Sequence, residues 1–392
     1  MSQSIFEKDK NIFLSTYNRL PIDIERGEGV FLYDKEGKKY LDFFSGLAVN
    51  ALGYAHPGIV EAVSNQISKF AHLSNNFITD IQVEFTELLV KHSVMSKAFL
   101  SNSGTEAVEA AIKIIRKKYG PEKIIYSLTD SFHGRTYGSM SLMGRDKYKK
   151  GFEPFLQNTG RIKFNDVNDL LEKVDENTAA IFLEFIQGEG GINLISEEFV
   201  KTLLELKQKF DFAIVSDGIQ CGTGRTGKAY SHNHFFVNPD LIVTAKAIGG
   251  GLPLGALLTT SDFGEMFSAG NHGTTFGGNP VSCAAGKVVL KEVYENGLMS
   301  RVAALGEYFI EQLNEIKNRY LEQIKEIRGK GFMIGVELTE PCHDFVKKMR
   351  ERKVLINCTN EKVLRILPPL IATKDNIDFF LFTLHETLKA EK

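Results

Sequence analysis

Short apolar segments alternate with amphipathic segments through the middle of the chain, and no other feature of the sequence restricts the fold as much. Buried strands are expected where segments are short, apolar and nearly free of polar alternation, at residues 124–128, 179–185, 212–216, 241–244 and 255–259. Amphipathic helices are expected at residues 105–118 and 197–210. Strands that alternate with helices predict an α/β fold, with a mainly parallel sheet covered by helices on both faces.

The two ends of the chain have a different pattern. Residues 29–43 read as strands and a turn, and the C-terminal part reads as one long helix, short strands and a final helix that begins near Asp375. We therefore predict a large domain over residues 51–295 and a smaller α+β domain built from residues 1–50 and 296–392. The length of 392 residues is compatible with two such domains, since a typical domain has roughly 100–200 residues.

Charge and composition exclude several classes of protein. Lys and Arg number 47 and Asp and Glu number 49, so the bulk charge offers no long-range attraction to nucleic acid or to an anionic membrane. The longest uncharged segment with membrane-like character, residues 248–258, has 11 residues, and a spanning helix needs about 20. The N-terminus MSQSIFEKDKNIF carries charges where a signal peptide has its apolar run. We expect a cytoplasmic protein that binds neither nucleic acid nor membranes.

The cysteines predict neither a metal site nor a disulfide framework. Cys221, Cys283, Cys342 and Cys358 form no Cys-x-x-Cys pair, and such pairs are typical of zinc sites. The chain also lacks the dense cysteine pattern of small proteins that depend on disulfides. We therefore predict no metal, no disulfide framework and a reducing compartment.

Lys246 is the only charged residue between positions 241 and 260, and it directly follows a predicted buried strand. A lysine in apolar surroundings loses hydration, so its neutral amine becomes accessible. Schiff-base chemistry requires that neutral amine. The alternative is a lysine whose stem lies along an apolar surface while its ammonium group reaches water.

Other lone charges stand at or near the ends of predicted strands. Asp217 is the only charged residue within residues 212–224, and a carboxylate there needs a cationic partner unless it caps a turn. Glu184 and Glu189 lie in or after another predicted strand, and Arg365 is the lone charge of VLRILPPLI. Because buried charges must find partners, we predict that Glu189 pairs with Arg365.

The segment SNSGTE opens a predicted helix. Ser103 and Glu106 fit a capping box. Small residues and Gly104 at a helix N-terminus also fit a phosphate cradle, because free backbone N–H groups and the helix dipole favour an anion. Both interpretations stay open at this point.

The segment SFHGRT follows the strand predicted at residues 124–128. Phe132 is suited to stacking on a flat heteroaromatic ring, and Arg135 to binding a carboxylate. A phenylalanine packed against the surface and a structural His133 are the alternatives.

Together these segments resemble the class-III aminotransferases, pyridoxal-phosphate enzymes of fold type I, and most closely their acetylornithine-specific branch. The resemblance covers nearly the whole chain, beginning at TYNRLP. Nine or so fragments in the same order make it specific. The others include YLDFFSGLAVNALGYAHP, SNSGTEAVEAA, SFHGRT, IQGEGG, GTGRTGK, HGTTFGGNP and RILPPL.

The resemblance implies the cofactor pyridoxal 5'-phosphate, with Lys246 as the Schiff-base lysine and general acid/base. Asp217 would keep the ring nitrogen protonated. Further cofactor contacts are implied for Ser103, Gly104 and Thr105 at the phosphate, Phe132 at the ring face, Gln220 at the ring hydroxyl and Thr275 at the phosphate of the neighbouring subunit. Substrate contacts are implied for Arg135, Glu189, Arg365, Tyr17, Asn18 and Thr274. Residues 51–295 would be the cofactor-binding domain, and the active unit would be a homodimer with shared active sites.

The implied reaction moves the terminal amine of N2-acetyl-L-ornithine to 2-oxoglutarate. Its products are N-acetylglutamate 5-semialdehyde and L-glutamate, and it belongs to arginine biosynthesis. Leu47 favours an acylated substrate, because ornithine-specific relatives commonly have a tyrosine there. Gly218 and Phe185 depart from the family, which usually has Glu and Pro at these positions.

Three alternatives remain on the sequence alone. The first is another ω-aminotransferase, acting on ornithine, succinyl-diaminopimelate or a GABA-type substrate. The second is an aminomutase or decarboxylase with the same cofactor. The third is a non-pyridoxal α/β protein that uses SNSGTE as a generic anion site.

Overall fold

The computed structural model describes residues 4–391. The strands, in chain order, are β1 (Ile24–Glu28), β2 (Phe31–Asp34), β3 (Lys39–Asp42), β4 (Lys97–Ser101), β5 (Ile124–Leu128), β6 (Thr159–Ile162), β7 (Thr178–Leu183), β8 (Ile186–Gln187), β9 (Asn193–Leu194), β10 (Ala213–Asp217), β11 (Leu241–Thr244), β12 (Gly255–Thr259), β13 (Ile324–Lys330), β14 (Met333–Leu338), β15 (Val354–Leu355), β16 (Asn357–Thr359) and β17 (Val363–Ile366).

The helices follow the same chain order, with 3₁₀ turns at Asp146–Tyr148, Ser231–Phe235 and Lys246–Gly249. They are α1 (Ile5–Ile12), α2 (Ser45–Ala48), α3 (Pro57–Ile67), α4 (Asp80–Lys91), α5 (Gly104–Tyr119), α6 (Tyr137–Ser141), α7 (Val167–Lys173), α8 (Glu197–Lys209), α9 (Ser261–Gly264), α10 (Pro280–Tyr294), α11 (Leu298–Arg319), α12 (His343–Glu351) and α13 (Lys374–Lys389).

A seven-stranded sheet with the order β4-β12-β11-β10-β7-β5-β6 forms the centre of the fold. Strands β11, β10, β7, β5 and β6 pair in parallel. Strand β12 runs antiparallel to both of its neighbours. The predicted α/β fold with a mainly parallel sheet is therefore confirmed.

Helices cover both faces of this sheet, which explains why its central strands are apolar runs. All six residues of β7 are buried. Phe182 packs in a cluster with the apolar face of α5, whereas its neighbour Ile181 packs in another cluster with α8. Because successive side chains of a strand point to opposite faces, each face of the sheet has its own core.

Residues from both ends of the chain build two further sheets. In the sheet β1-β2-β3-β15, the C-terminal strand β15 pairs in parallel with the N-terminal strand β3. The sheet β13-β14-β17-β16 is antiparallel. The domain boundaries after residues 50 and 295 stay a prediction, and residues 1–3 and 392 of the predicted small domain lie outside the described residues.

One disulfide is present that the spacing of the cysteines did not indicate. Cys342, at the start of α12, is bonded to Cys358 in β16, and their Cα atoms are 5.7 Å apart. Cys221 and Cys283 are free and buried. The sequence did not indicate this bond because it depends on how α12 packs beside β16, which no local spacing reveals.

His343 adds a third side chain to this disulfide. Its ligand atom and the two sulfurs of Cys342 and Cys358 lie within 4.8 Å of one another, a grouping that could hold a metal ion only if the disulfide were reduced to two thiolates. The missing Cys-x-x-Cys pair therefore did not exclude such a grouping.

Among residues 4–391, no helix combines the length and the apolar character needed to cross a membrane.

Candidate active site

The predicted site residues meet at the carboxyl-terminal edge of the central sheet, where ligands bind in open α/β folds. A cavity of about 460 Å³ lies there, within the usual range for small-molecule sites of about 300–1,000 Å³. Its lining includes the predicted residues Ser103, Gly104, Thr105, Phe132, Arg135, Glu184, Glu189, Asp217, Gln220 and Lys246.

Lys246 lies two residues beyond β11, in a strained backbone conformation with φ 53°. It is half-buried, and the residues on either side of it are buried. Burial lowers the pKa of its ammonium group, and the positive charge of Arg365 lowers it further. The carboxylates of Glu189, Asp217 and Glu184 act in the opposite direction without reversing the shift. Lys246 is therefore suited to react as a neutral amine.

Asp217 ends β10 and is almost completely buried. Its Oδ2 lies 2.7 Å from Nδ1 of His133, and its Oδ1 accepts a hydrogen bond of 3.0 Å from the backbone N–H of Ile219. Burial alone would lower the pKa of His133, but the hydrogen bond and the charge of Asp217 raise it. These two contacts therefore fix the orientation of the Asp217 carboxyl group at the cavity wall.

Glu184 contributes a second carboxyl group beside Asp217. Its oxygens accept hydrogen bonds from the backbone N–H groups of Phe132, at 2.9 Å, and Gly188, at 3.0 Å. Burial and the negative charge of Asp217 raise the pKa of Glu184 to about 7. These bonds join the loop after β5, which carries Phe132, to the loop after β7.

The N-terminus of α5 opens into the cavity. Ser103 is the N-cap, and its Oγ accepts a hydrogen bond of 3.3 Å from the N–H of Glu106. Thr105 exchanges hydrogen bonds with the hydroxyls of Thr136, at 2.9 Å, and Ser139, at 2.7 Å. A Cβ at Gly104 would lie 2.6 Å from Cδ1 of Ile219. The capping and phosphate-cradle interpretations are therefore compatible, because the capped helix presents its free N–H groups to the cavity.

Glu189 and Arg365 form an ion pair at the far side of the cavity. Nη1 of Arg365 donates to Oε1 of Glu189 at 2.5 Å, and to Oε1 of Gln220 at 3.3 Å. Nε of Arg365 donates to Oδ1 of Asn357 at 3.1 Å. Burial alone would raise the pKa of Glu189, but Arg365 holds it below its ordinary value. The pairing predicted from two isolated charges is therefore present in the structure.

Arg135 and the two threonines of HGTTFGGNP lie at the margins. Arg135 is exposed and its guanidinium carbon lies 4.2 Å from the ring centroid of Tyr148. Thr274 accepts a hydrogen bond of 3.0 Å from Nδ2 of Asn102, which lines the cavity. Thr275 is exposed and lines a separate surface cleft.

Tyr17 and Asn18 are not brought to the cavity in this single chain. Tyr17 is 78% exposed, Asn18 is also exposed, and neither lines the cavity. Their role at the substrate entrance stays a prediction.

Sequence reasoning missed several residues of the site. Asn102 and Val49 line the cavity, and both stand inside motifs that were singled out for other positions. The role of His133 as the partner of Asp217 had no sequence signal beyond its place in SFHGRT. Asn357 had none, because its contact with Arg365 depends on the pairing of two short C-terminal strands.

Comparison with known proteins gives one family. Residues 13–388 match the model of the family described as aminotransferase class-III. The acetylornithine aminotransferase of Aquifex aeolicus is 46% identical over 380 residues, which is 96% of this chain and 99% of that protein. The protein of the same name from Caldanaerobacter subterraneus is 42% identical, over 97% of this chain and 98% of its own length.

Solved structures agree. The ornithine aminotransferase of Toxoplasma gondii superimposes with a TM-score of 0.94 at 29% identity, covering 98% of this chain and 94% of that one. The acetylornithine aminotransferase of Elizabethkingia anophelis has a TM-score of 0.88 at 31% identity, covering 98% of each chain.

Proposed function

This chain belongs to the class-III aminotransferases and has their type I fold, and from that premise we propose that it transfers the terminal amine of N2-acetyl-L-ornithine to 2-oxoglutarate. The products are N-acetylglutamate 5-semialdehyde and L-glutamate, and the reaction is a step of arginine biosynthesis in the cytoplasm. The observation that carries the proposal is the desolvated Lys246, which lines one cavity with Asp217 and with Glu189, the ion-pair partner of Arg365. The names of the relatives support the choice of substrate.

The cavity fits pyridoxal 5'-phosphate as the cofactor. A phosphate suits the N-terminus of α5, where Ser103 and Thr105 add hydroxyls and Gly104, which has no Cβ, lets the side chain of Ile219 pack closely against the backbone. A pyridine nitrogen suits the buried carboxylate of Asp217, and the ring face suits Phe132. When bound, this cofactor supplies an electron sink for the carbon that loses a proton.

The residues of the chain would then divide the work. Lys246, as a neutral amine, takes and returns the proton at the substrate carbon. Asp217, which is hydrogen-bonded to His133 and to the backbone N–H of Ile219, would keep the proton on the pyridine nitrogen. Gln220 would contact the ring hydroxyl. We propose residues 51–295 as the domain that holds these groups.

The entrance to the cavity bears on the choice of donor. Residues Ser45–Ala48 all have positive φ and so form a left-handed turn, which carries Leu47. Leu47 is half-buried, and Val49, just beyond the turn, lines the cavity. An apolar wall favours an acylated, uncharged nitrogen over the free α-ammonium of ornithine, because burying an unpaired charge is costly.

One site must accept two kinds of substrate. The acylated donor has one carboxylate, at the end far from its reacting amine, whereas glutamate carries a carboxylate at each end. Arg135, at the rim, is placed to bind the distal carboxylate in both cases. We propose that Glu189 neutralises Arg365 while the donor is bound and releases it to the α-carboxylate of glutamate.

This switch predicts opposite effects of two truncations. Glu189→Ala should lower kcat/KM for acetylornithine about 10- to 100-fold, because it leaves a buried cation unpaired, and should change the value for glutamate much less. Arg365→Ala should lower kcat/KM for glutamate more than it lowers kcat/KM for acetylornithine. Single half-reactions measured by stopped flow check both variants, with Glu189→Gln as the control that keeps a hydrogen-bonding group. Equal losses in both half-reactions for both variants would show that the pair is only structural.

We further propose a homodimer with shared active sites. Thr275 is exposed beside Phe276, which is 58% exposed and whose ring lies tilted against that of His72, with the centroids 5.1 Å apart. Phe77 and Ile78 add exposed apolar surface, at 62% and 90%. An apolar face of this kind is typical of a protein interface, and it would let Thr275 contact the cofactor phosphate of a second copy.

Dependence on the amino acceptor tests the reaction class. We expect the purified protein, loaded with pyridoxal phosphate, to convert more than one equivalent of acetylornithine per active site only when 2-oxoglutarate is added, and then to form one glutamate per semialdehyde. An aminomutase would turn over repeatedly without the acceptor, and a decarboxylase would release carbon dioxide. Either result would refute the proposed transfer.

A further inference from the structure

The disulfide lies on the strand that holds the Glu189–Arg365 pair. Cys358 is the middle residue of β16, and this strand is the edge of its sheet and pairs only with β17. The Cα separation of 5.7 Å between Cys342 and Cys358 is ordinary for disulfides, so the thiols can bond without backbone movement.

The two residues that flank Cys358 contact the two partners of the ion pair. On one side, Oδ1 of Asn357 accepts the Nε–H of Arg365 at 3.1 Å. On the other side, Oγ1 of Thr359 donates to the backbone carbonyl of Glu189 at 2.8 Å. The position of β16 therefore sets the geometry of both charged groups.

Strand β16 has few other attachments. It has three residues and three register pairs, all with β17, and Asn360 and Glu361 beyond it have positive φ. Cys342, in contrast, is fully buried, and α12 behind it packs Phe345 and Met349 into the core. The disulfide therefore ties a short edge strand to a rigid helix, and short, weakly attached segments are the ones that open locally.

Building on the proposed function, we propose that Cys342 and Cys358 form a reversible dithiol–disulfide site that controls how firmly Arg365 is held for dicarboxylate substrates. Closing the bond requires an external disulfide of low molecular weight, such as oxidised glutathione. The Cys358 thiolate attacks it and releases one thiol. The Cys342 thiolate then attacks the mixed disulfide and releases the second, so two electrons pass to the external reagent.

The burial of the four cysteines indicates which thiol attacks the external disulfide and which thiol then completes the bond. Cys358 is half-buried and so reachable, whereas Cys342 is buried beside it as the resolving thiol. Burial raises the pKa of both Cys221 and Cys283 to about 12, which keeps these two thiols unreactive. Disulfides of cytoplasmic proteins are usually transient and redox-sensing.

The consequence differs for the two substrates. Glutamate and 2-oxoglutarate need Arg365 to bind their α-carboxylate, whereas acetylornithine is bound while Arg365 stays paired with Glu189. Reduction frees β16 and lets Asn357 move, so that Arg365 loses part of its preorganisation. Reduction should therefore weaken the binding of dicarboxylates by about threefold to tenfold and leave the binding of acetylornithine unchanged.

The test compares two redox forms of the same holoenzyme. One sample is equilibrated with oxidised glutathione and the other with dithiothreitol, and alkylation followed by mass measurement counts free thiols, two and four per chain. Calorimetry then gives the dissociation constant of glutarate, a dicarboxylate that cannot react. Half-reaction rates give kcat/KM for glutamate and for acetylornithine. In the reduced form we expect a higher dissociation constant for glutarate and a higher KM for glutamate. The kcat/KM for acetylornithine should be the same in both forms.

Two variants sharpen the comparison. Cys358→Ser, which lacks the thiol that attacks the external disulfide, should show the reduced-form values in both buffers, and Cys283→Ser, the matched control, should respond as the unaltered protein does. Equal glutarate constants in the two forms, or four free thiols in the oxidising buffer, would overturn the inference. So would uptake of one Zn²⁺ per chain by the reduced form with no return of the disulfide, since His343 would then complete a metal site. If neither the oxidised nor the reduced form transferred amines, the proposed function itself would be overturned.

Discussion

Lys246→Ala is expected to abolish turnover, with a loss of about 10⁵-fold or more, because no other group can replace a covalent catalyst that also moves the proton. Its position supports the magnitude. Lys246 follows β11 at φ 53°, burial lowers the pKa of its amine, and it lines the cavity together with Asp217. A lysine on the protein surface is neither desolvated nor in contact with this cavity.

The measurement has a spectroscopic and a chemical part. The unaltered protein should show the absorption of lysine-bound pyridoxal phosphate, and borohydride treatment should leave the cofactor mass on the peptide that contains Lys246. Lys246→Ala should lose both signals. Lys287→Ala is the matched control, because Lys287 pairs at the surface with Glu84, and it should keep activity within about twofold, as surface ion pairs contribute little. A Lys246→Ala protein with the original rate would refute the assignment.

Asp217→Asn is expected to lower the rate of proton removal from the substrate by about 10²- to 10³-fold, the range found when one preorganised polar group is removed from an active site. The side chain keeps its shape but loses the charge that holds the ring nitrogen protonated. His133 also loses its ionic partner, so the pKa of the imidazole should fall from its raised value.

Deuterium exchange at the reacting carbon measures this step separately from binding. Circular dichroism and thermal unfolding show whether the fold is intact. Asp211→Asn is the control, since Asp211 is exposed and precedes β10 at the opposite end of the strand from Asp217. An unchanged exchange rate in Asp217→Asn would remove the proposed role.

The sequence predicted best the strands that are buried on both faces, and it missed β1 and β4, which are not. The bounds of β5, β11 and β12 agree with the predicted ones, because a strand covered on both sides is an uninterrupted apolar run. Strand β4 includes the exposed Lys97, and β1, with the sequence IERGE, is mostly exposed. Their pairing is decided by neighbours far away in the chain, which a local pattern does not reveal.

The residues of the active site also fall into a group that the sequence reveals and a group that it does not. Lone charges at the ends of apolar strands, such as Asp217 and Lys246, are visible in a sequence because burial makes an isolated charge unusual. Asn357 and the Cys342–Cys358 bond are not visible. An asparagine on an edge strand and two cysteines 16 residues apart acquire meaning only when α12, β16 and β17 are packed together.

The account is tested most directly by the donor preference of the unaltered enzyme. The pyridoxal form is mixed in turn with N-acetylornithine, ornithine, GABA and succinyl-diaminopimelate, and the loss of absorption from the lysine-bound cofactor is followed in each single half-reaction. We predict the highest kcat/KM for N-acetylornithine, with succinyl-diaminopimelate next and ornithine and GABA at least about tenfold lower, because an uncharged acyl nitrogen suits the apolar wall near Val49. A higher kcat/KM for ornithine or for GABA than for N-acetylornithine would contradict the account.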